Sequence, residues 1–452
     1  MTGERRSRWL TVAVVVIASA VHLRAWVANP NPNNPDSGSY IEPAGHLLRE
    51  HQFVAVDRVA YAVPYGAFAP GPVKPDTIRT PVYPLLIAGF MAIGASLRAL
   101  TLLQHLLVVG LAALLQVTLR QRVSPVSGAC AAMLFSLHPA VVDTANVVMT
   151  ETLTAVIVAV AAASLYRSTI RRSSGFAALA GGLLGLASLT RPIVVYLPLV
   201  LVAVLLVRRI AWRVVIVFAV ASCVLPLGWT LRNYQKTGVP TVSSIAGEDL
   251  LLYRAAGALV VAGKPPLDAL FALQKQFGYY RYALAIRVPL VNEALREAEA
   301  EGRRPANHAQ RSREYARLAT RTLLAHPFQY AEIAFSSFLA LVADDMSAVV
   351  GSHGEHIDDA RLLLVPLSLL TLVCAVGGIR RLLEIDRDAA LLIGATVVYF
   401  VGISCGPGVE PRFVVPYLAL YAFAASVGLD AFFHRIEERR LRVATGPQSA
   451  RS

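Results

Sequence analysis

Charge is scarce in this sequence. Only 16% of its 452 residues are Asp, Glu, Lys or Arg, against about a quarter in an average soluble domain. Too little polar material is present to cover an ordinary globular surface. Cysteine is also scarce. Cys130, Cys223, Cys374 and Cys405 all lie in or beside apolar runs, and no two have CxxC spacing. They read as small packing residues rather than a metal or redox centre. The sequence has no glycine-rich phosphate loop, no serine-centred elbow and no H-E-x-x-H pair; it therefore lacks the marks of P-loop enzymes, serine hydrolases and zincins. Internal repeats and low-complexity segments are missing as well.

What the sequence has in excess is apolar residues, at 56%, with a mean hydropathy of +0.55. They fall in blocks at about 9–28, 81–97, 100–119, 126–143, 145–166, 175–191, 192–207, 213–231, 328–343, 361–379, 389–405 and 412–433. A helix needs about 20 residues to cross a hydrocarbon core of about 30 Å. A chain in lipid must also satisfy its own backbone hydrogen bonds. The blocks therefore predict an all-α polytopic membrane protein. The net charge of +13 does not argue for nucleic acid, because much of the arginine sits at block ends, where the positive-inside rule puts it. Arg5, Arg6 and Arg8 before the run Trp9–Ala20 resemble the start of a signal peptide. The run continues through Val21–Val27 without a small-residue cleavage site, so a retained first helix with a cytoplasmic N-terminus is expected.

Charge parity limits the topology. The clusters Arg120/Arg122, Arg167/Arg171/Arg172, Arg208/Arg209/Arg213, Arg380/Arg381/Arg387 and Arg435/Arg439/Arg440 should share the cytoplasmic side. They do so if blocks 81–97 and 328–343 fail to cross fully, giving ten crossings; twelve is the alternative. Ten crossings put both long polar stretches, 29–80 and 232–327, on the outer side. The second should carry helices near 291–300 and 311–325, separated by the break Gly302–Pro305. Three regions follow: a transmembrane module 1–231 with its outer loop 29–80, an outer loop 232–345 with interfacial helices, and a C-terminal part 346–452 with further helices and a cytoplasmic tail.

Polar residues gather at the outer block ends. Asp36 follows a proline-rich stretch and precedes an amphipathic helix that begins near Tyr40 and Glu42, with Ala44, Leu47 and Leu48 at helical spacing. On its own it reads as an N-cap. Arg79-Thr-Pro-Val-Tyr83-Pro precedes the second block. His138-Pro139 and Thr150-Glu151 bracket the turn between the fourth and fifth. Thr190-Arg191-Pro192, Trp229-Thr-Leu-Arg232-Asn233-Tyr234 and Pro411-Arg412-Phe413 mark further outer ends. Singly, each arginine reads as an interfacial anchor. Together with Glu151, an intramembrane carboxylate, they place cations and carboxylates at one face. Arginines there suit an anionic lipid headgroup, and a nearby carboxylate suits general-base work on a hydroxyl. His353-Gly-Glu-His356 with Asp344, Asp345, Asp358 and Asp359 lacks zincin spacing and is read as ordinary loop polarity.

These motifs, in this order, resemble the GT-C superfamily of polyprenyl-phosphate-sugar-dependent glycosyltransferases, and most of all the bacterial relatives of protein O-mannosyltransferases and lipid A aminoarabinose transferases. The resemblance rests on Pro35-Asp36-Ser37 with Tyr40 and Ala44, the Arg79–Pro84 motif, His138-Pro139 and Thr150-Glu151, Gly181 through Pro192, Trp229–Tyr234 and Arg412–Pro416. It covers nearly the whole chain. It implies a GT-C helical bundle of 10–12 transmembrane helices and transfer of a sugar from a polyprenyl-phosphate donor to a lipid, glycan or protein hydroxyl, at the outer face of the cell membrane. It implies Asp36 as base, and Arg79, Arg191, Arg232 and Arg412 on the donor phosphate. Tyr40, Glu42, Tyr83, Glu151 and Asn233 would position substrate. Many relatives carry a second acidic residue directly after this aspartate, where this chain has Ser37. No metal ligand is therefore assigned, and a divalent cation is left open. A transporter or flippase of lipid-linked saccharides is the rival reading, and a non-catalytic assembly partner a third.

Overall fold

The computed structural model describes residues 3–57, 72–119, 122–263, 276–343, 357–406 and 409–444. Each apolar block is helical. The first gives α1 (Gly3–Ala28), which stops before the prolines at 30, 32 and 35. The outer loop then forms α2 (Gly38–Glu50) and a two-stranded antiparallel ribbon, β1 (Val54–Val56) with β2 (Val73–Pro75). Block two is α3 (Val82–Ala92), only 11 residues long. At 1.5 Å per residue it spans about 16 Å, roughly half the hydrocarbon thickness. Then follow α4 (Leu97–Leu119), α5 (Pro125–Ser136) and α6 (Pro139–Asn146).

Block four is thus broken in two, with a bend of 46° between the parts. The cause is local. Pro139 stands at the first position of α6, and His138 caps it by accepting from Ala140 N at 3.2 Å. His138-Pro139 therefore marks a break inside the block and not its outer end. The chain continues as α7 (Glu151–Arg171), α8 (Ser174–Thr190), α9 (Leu197–Val207) and α10 (Trp212–Thr237). The second outer loop holds α11 (Ile245–Asp249), a π-helical turn, α12 (Ala256–Ala262), α13 (Gln276–Ala300) and α14 (His308–Ala325). The expected break falls between the last two, with Gly302 at φ +75°. The chain ends with α15 (Pro327–Ala343), α16 (Ile357–Ile385), α17 (Arg387–Ser404) and α18 (Val415–Ala444). The polar stretch 344–356, with its two histidines, lies outside the described residues.

Seven helices among the described residues are long and apolar enough to cross a membrane, or eight if α5 and α6 form one broken span; α3, α8 and the stretch Pro192–Val207 are shorter apolar helices. The chain is a multi-pass membrane protein. Lipid gives helices little hydrophobic reason to associate, so small residues and close backbone contact must do it. On α8, a Cβ at Gly181 would lie 2.4 Å from Phe218 O of α10. Gly182, in the same run, meets nothing within 4 Å. A second crossing, α16 on α18, is tighter still: a Cβ at Gly378 would lie 1.8 Å from Ala424 O, and one at Gly428 1.9 Å from Cys374 O.

The two ends of the bundle differ in chemistry. One end gathers Arg122 with Asp386 (2.7 Å) and Arg208 with Asp388 (2.6 Å), with Tyr166 near the C-terminus of α7 joining the first pair. At the opposite end of α7 stands Glu151.

Candidate functional site

Asp36 is held in place by the loop around it. Val148 N donates to Pro32 O (2.8 Å), Asn29 Nδ2 to Asn146 O (3.2 Å) and Ser37 Oγ to Val148 O (3.1 Å). The first outer loop is thereby stitched to the segment that leads into Glu151. Ser37 is buried in this seam. Asp36 does not cap α2. The residue at the cap position is Ser37, whose side chain makes no capping bond either, and the Asp36 carboxylate turns instead to arginines.

Arg412, in the turn before α18, donates to Asp36 Oδ2 at 2.9 Å. Arg79 Nη2 lies 3.7 Å from Asp36 Oδ1. The same Arg412 guanidinium reaches Glu410 (2.5 Å) and Glu151 (3.7 Å), and Glu151 is ion-paired to Arg191. Arg191 stands in extended backbone between the end of α8 and Pro192, which swings it off the helix axis. The Phe413 ring lies 5.6 Å from the Arg191 guanidinium and 5.8 Å from that of Arg412. Three arginines and three carboxylates from the first loop and the ends of α7, α8 and α18 thus form one cluster.

Burial distinguishes the carboxylates. Glu151 is fully buried, while the Asp36 side chain keeps 38% of its exposure. An enclosed charge tolerates that position only if paired; an open one can meet a substrate. Desolvation works to raise the Asp36 carboxyl, but Arg412 and Arg79 outweigh it and hold the group below the usual aspartate range. At Glu410 burial wins. Desolvation lifts that carboxyl against Arg412, and Asp36 and Glu151 push it the same way. Glu410 is therefore the carboxyl that takes up a proton more readily than an ordinary glutamate, and with that proton the cluster gains a positive charge and favours an added anion.

Arg79 is braced rather than loose. Its Nε donates to Ser39 Oγ (2.8 Å), its Nη1 to Tyr40 Oη (3.0 Å), and it lies 4.3 Å over the Tyr40 ring. Asp76 Oδ1 accepts from Ile78 N at 2.7 Å and fixes the turn beneath it. Tyr40 and Tyr83 meet edge to face, and the buried Tyr83 hydroxyl donates to Gln104 (2.6 Å), which in turn donates to Val147 O (2.8 Å). Both tyrosines therefore act through the scaffold.

The structure does not bring all the expected residues together. Arg232 gives its donors to Asp76 O (2.6 Å) and Phe53 O (2.7 Å) and stacks on Trp229 and Phe53. Glu42 accepts from Val56 N at 2.7 Å, and the fully buried Asn233 donates to Thr241 O at 2.8 Å. These three fasten the outer loops instead of facing the cluster. Glu410 is the member that sequence reasoning missed; its place two residues before Arg412 was the available signal. No group of three or more His, Cys, Asp or Glu that could hold a metal occurs among the described residues.

Residues 75–229 match the family described as dolichyl-phosphate-mannose-protein mannosyltransferase. That stretch includes Arg79, Glu151 and Arg191 and leaves out Asp36 and Arg412. No protein with a curated description matches the chain. Among solved structures, the archaeal oligosaccharyltransferase AglB of Archaeoglobus fulgidus, in complex with an inhibitory peptide and a dolichol-phosphate, aligns with a TM-score of 0.54 at 14% identity. The alignment covers 98% of this chain and 52% of that one. The same organism's oligosaccharyltransferase tethered to an acceptor peptide aligns at 0.52, with 14% identity and the same coverages. ArnT of Cupriavidus metallidurans bound to undecaprenyl phosphate aligns at 0.34 with 18% identity, over 93% of this chain and 79% of that one. The chain spans about half the length of the oligosaccharyltransferases it matches. It has their membrane fold, of the GT-C type.

Proposed function

We propose that this protein is a membrane glycosyltransferase. It moves a sugar from a polyprenyl-phosphate donor to an acceptor hydroxyl, on the extracytoplasmic face of the cell membrane. One observation carries this reading: Arg79, Arg191 and Arg412 converge with an open carboxylate, Asp36, at the end of an apolar bundle. A phosphate needs such donors, and a polyprenyl tail needs the lipid beside them. The family match over 75–229 and the fold shared with a dolichol-phosphate-binding enzyme support it. The side is inferred from the arginine-rich ends of α4, α7 and α9, which point the other way.

The resting ion pairs suggest the order of events. The donor phosphate competes with Asp36 for Arg412 and Arg79, and binding it releases the carboxylate. Asp36 then takes the proton of the acceptor hydroxyl. The acceptor oxygen attacks the anomeric carbon from the face opposite the phosphate, and the carbon–oxygen bond to phosphate breaks. Its electron pair stays on the leaving phosphate, where the arginines stabilise the charge, and the anomeric centre inverts. Glu151 holds Arg191 and Arg412 in register. Arg232, Glu42 and Asn233 are assigned to the scaffold.

The test is chemical. Purified protein in lipid nanodiscs, given a polyprenyl-phosphate sugar and a membrane extract as acceptor, should release free polyprenyl phosphate in step with glycosylated product. Movement of intact lipid-linked sugar across the bilayer, with no polyprenyl phosphate released, would establish the flippase reading instead.

A further inference from the structure

The turn that carries Arg79 is held from the second outer loop. Ser244 N donates to Thr77 O at 2.7 Å, and Ser243 Oγ donates to Ile78 O at 2.5 Å. Inside the turn, Asp76 Oδ1 accepts from Ile78 N at 2.7 Å. The Thr77 hydroxyl starts a longer chain. It meets Ser244 Oγ at 2.9 Å, Ser244 Oγ meets His308 Nδ1 at 2.6 Å, and His308 Nε2 meets Glu248 Oε1 at 2.8 Å. Thr77, Ser244 and His308 are all buried.

The far end of this chain is firm. His308 is the first residue of α14, behind the cap Asn307, whose side chain accepts from Gln310 N at 3.0 Å. Asn307 and Gln310 also donate to Thr237 O at the end of α10, at 3.3 and 2.9 Å. Glu248 belongs to α11, whose backbone lies flush on α14: a Cβ at Gly247 would lie 2.0 Å from Ser312 O. The hydrogens follow from the partners. A carboxylate only accepts, so His308 Nε2 donates to Glu248 and Nδ1 accepts from Ser244. Ser244 Oγ then accepts from Thr77. The donors all point one way, and each bond polarises the next. Serine, histidine and glutamate in contact also describe an activated nucleophile. Here Ser244 is only 2% exposed and its hydroxyl has a partner on either side, so the chain is suited to holding and not to attack.

We propose that His308 is a positioning residue for the donor phosphate: through Ser244 and Thr77 it sets the turn from which Arg79 reaches the cluster. The proposal rests on the glycosyltransferase reading and extends its donor site to the second outer loop. Arg79 is sensitive to such control. Its Nε and Nη1 are spent on Ser39 and Tyr40, and Nη2 is the nitrogen that faces Asp36, at 3.7 Å. A misplacement of about 1 Å is enough to weaken a directed contact of this kind severely.

Bare undecaprenyl phosphate is titrated against the full-length protein and its variants in nanodiscs. Thr77→Val keeps the side-chain shape and removes the hydroxyl, Thr77→Ser keeps the hydroxyl, and His308→Ala removes both ring contacts. Thr77→Val and His308→Ala should each bind about five- to tenfold more weakly. The two together should lose no more than the worse alone, because both break one chain. Thr77→Ser should bind like the wild type. In an Arg79→Ala background, where Arg191 and Arg412 still hold the phosphate, His308→Ala should cost nothing further. A general structural defect would lower binding by the same factor with or without Arg79. That result, or unchanged affinity in both Thr77→Val and His308→Ala, would overturn the proposal. The glycosyltransferase reading fails separately: a wild type that binds this lipid and transfers no sugar sinks it, while a loss of affinity that runs through Arg79 would still stand.

Discussion

Arg232 and Arg412 carry the same side chain and do different things. Arg232 spends its donors on carbonyls of residues 53 and 76; Arg412 spends them on carboxylates. Arg232→Ala should lower thermal stability by about 1–3 kcal/mol, because it strands buried carbonyls. In the folded variant, transfer per molecule should fall far less than in Arg412→Ala, and melting curves read beside transfer rates separate the two. Glu410 gives a pH prediction. Its carboxyl is raised, so it takes up a proton at a higher pH than an ordinary glutamate does. Asp36 is lowered and stays ionised there. The site then gains one positive charge, so the wild type should bind bare undecaprenyl phosphate more weakly than Glu410→Gln at about pH 7 and approach it as pH falls, the titration of the lipid phosphate being common to both. Glu410→Gln should keep only the pH dependence of the lipid phosphate itself. At this scale the sequence could place the arginines at one face but could not sort them. What sorts Arg232 from Arg412 is which backbone or carboxylate lies opposite. The deciding partners, at positions 53 and 76 for the one and Asp36 for the other, are distant in the chain.

Helices were the legible part of the sequence, because apolar length decides them. Every apolar block is helical, and the short α3 has the length expected of a block that fails to cross fully. Breaks were less legible. Block four is split at His138-Pro139, and the fifth begins as α7 only at Glu151, since the backbone of Val148 is paired with Pro32 and Ser37 instead of a helix. The GxxxG-like run on α8 was visible, but which glycine faces α10 depends on helix rotation, and the tighter α16–α18 crossing uses the less obvious small-residue pairs Cys374/Gly378 and Ala424/Gly428, each with a single glycine at its close contact. Gly378→Val should force α16 and α18 apart at a distance no rotamer relieves. A loss of about 1–3 kcal/mol is expected, measured as detergent-resistant unfolding temperature, whereas Gly182→Val should cost little.

For the whole molecule, the two outer loops are joined by a buried ion cluster. Asp57 accepts from Lys74 at 2.8 Å and pairs with Arg311 of α14, and Lys74 also donates to Ala306 O at 2.6 Å. Charge parity put both loops on one side, and this contact shows them touching. Asp57→Ala would leave Arg311 buried without its carboxylate, at a cost of about 3 kcal/mol or more. Limited proteolysis should then cut the second loop faster while the helical bundle stays intact. The Asp57 carboxyl is held low by its two cations, so this link contributes above the ordinary aspartate value and is lost only as pH falls through the lowered one.

The central claim is that an Asp36 carboxylate, released from arginines by the donor phosphate, takes the acceptor's proton. It is tested most directly by measuring Asp36→Asn for two quantities at once: affinity for bare undecaprenyl phosphate and rate of sugar transfer. The expected result is that phosphate binds at least as tightly as in the wild type, since a competing anion is gone, while transfer falls by about a hundredfold or more. Transfer at the wild-type rate in Asp36→Asn would contradict the account.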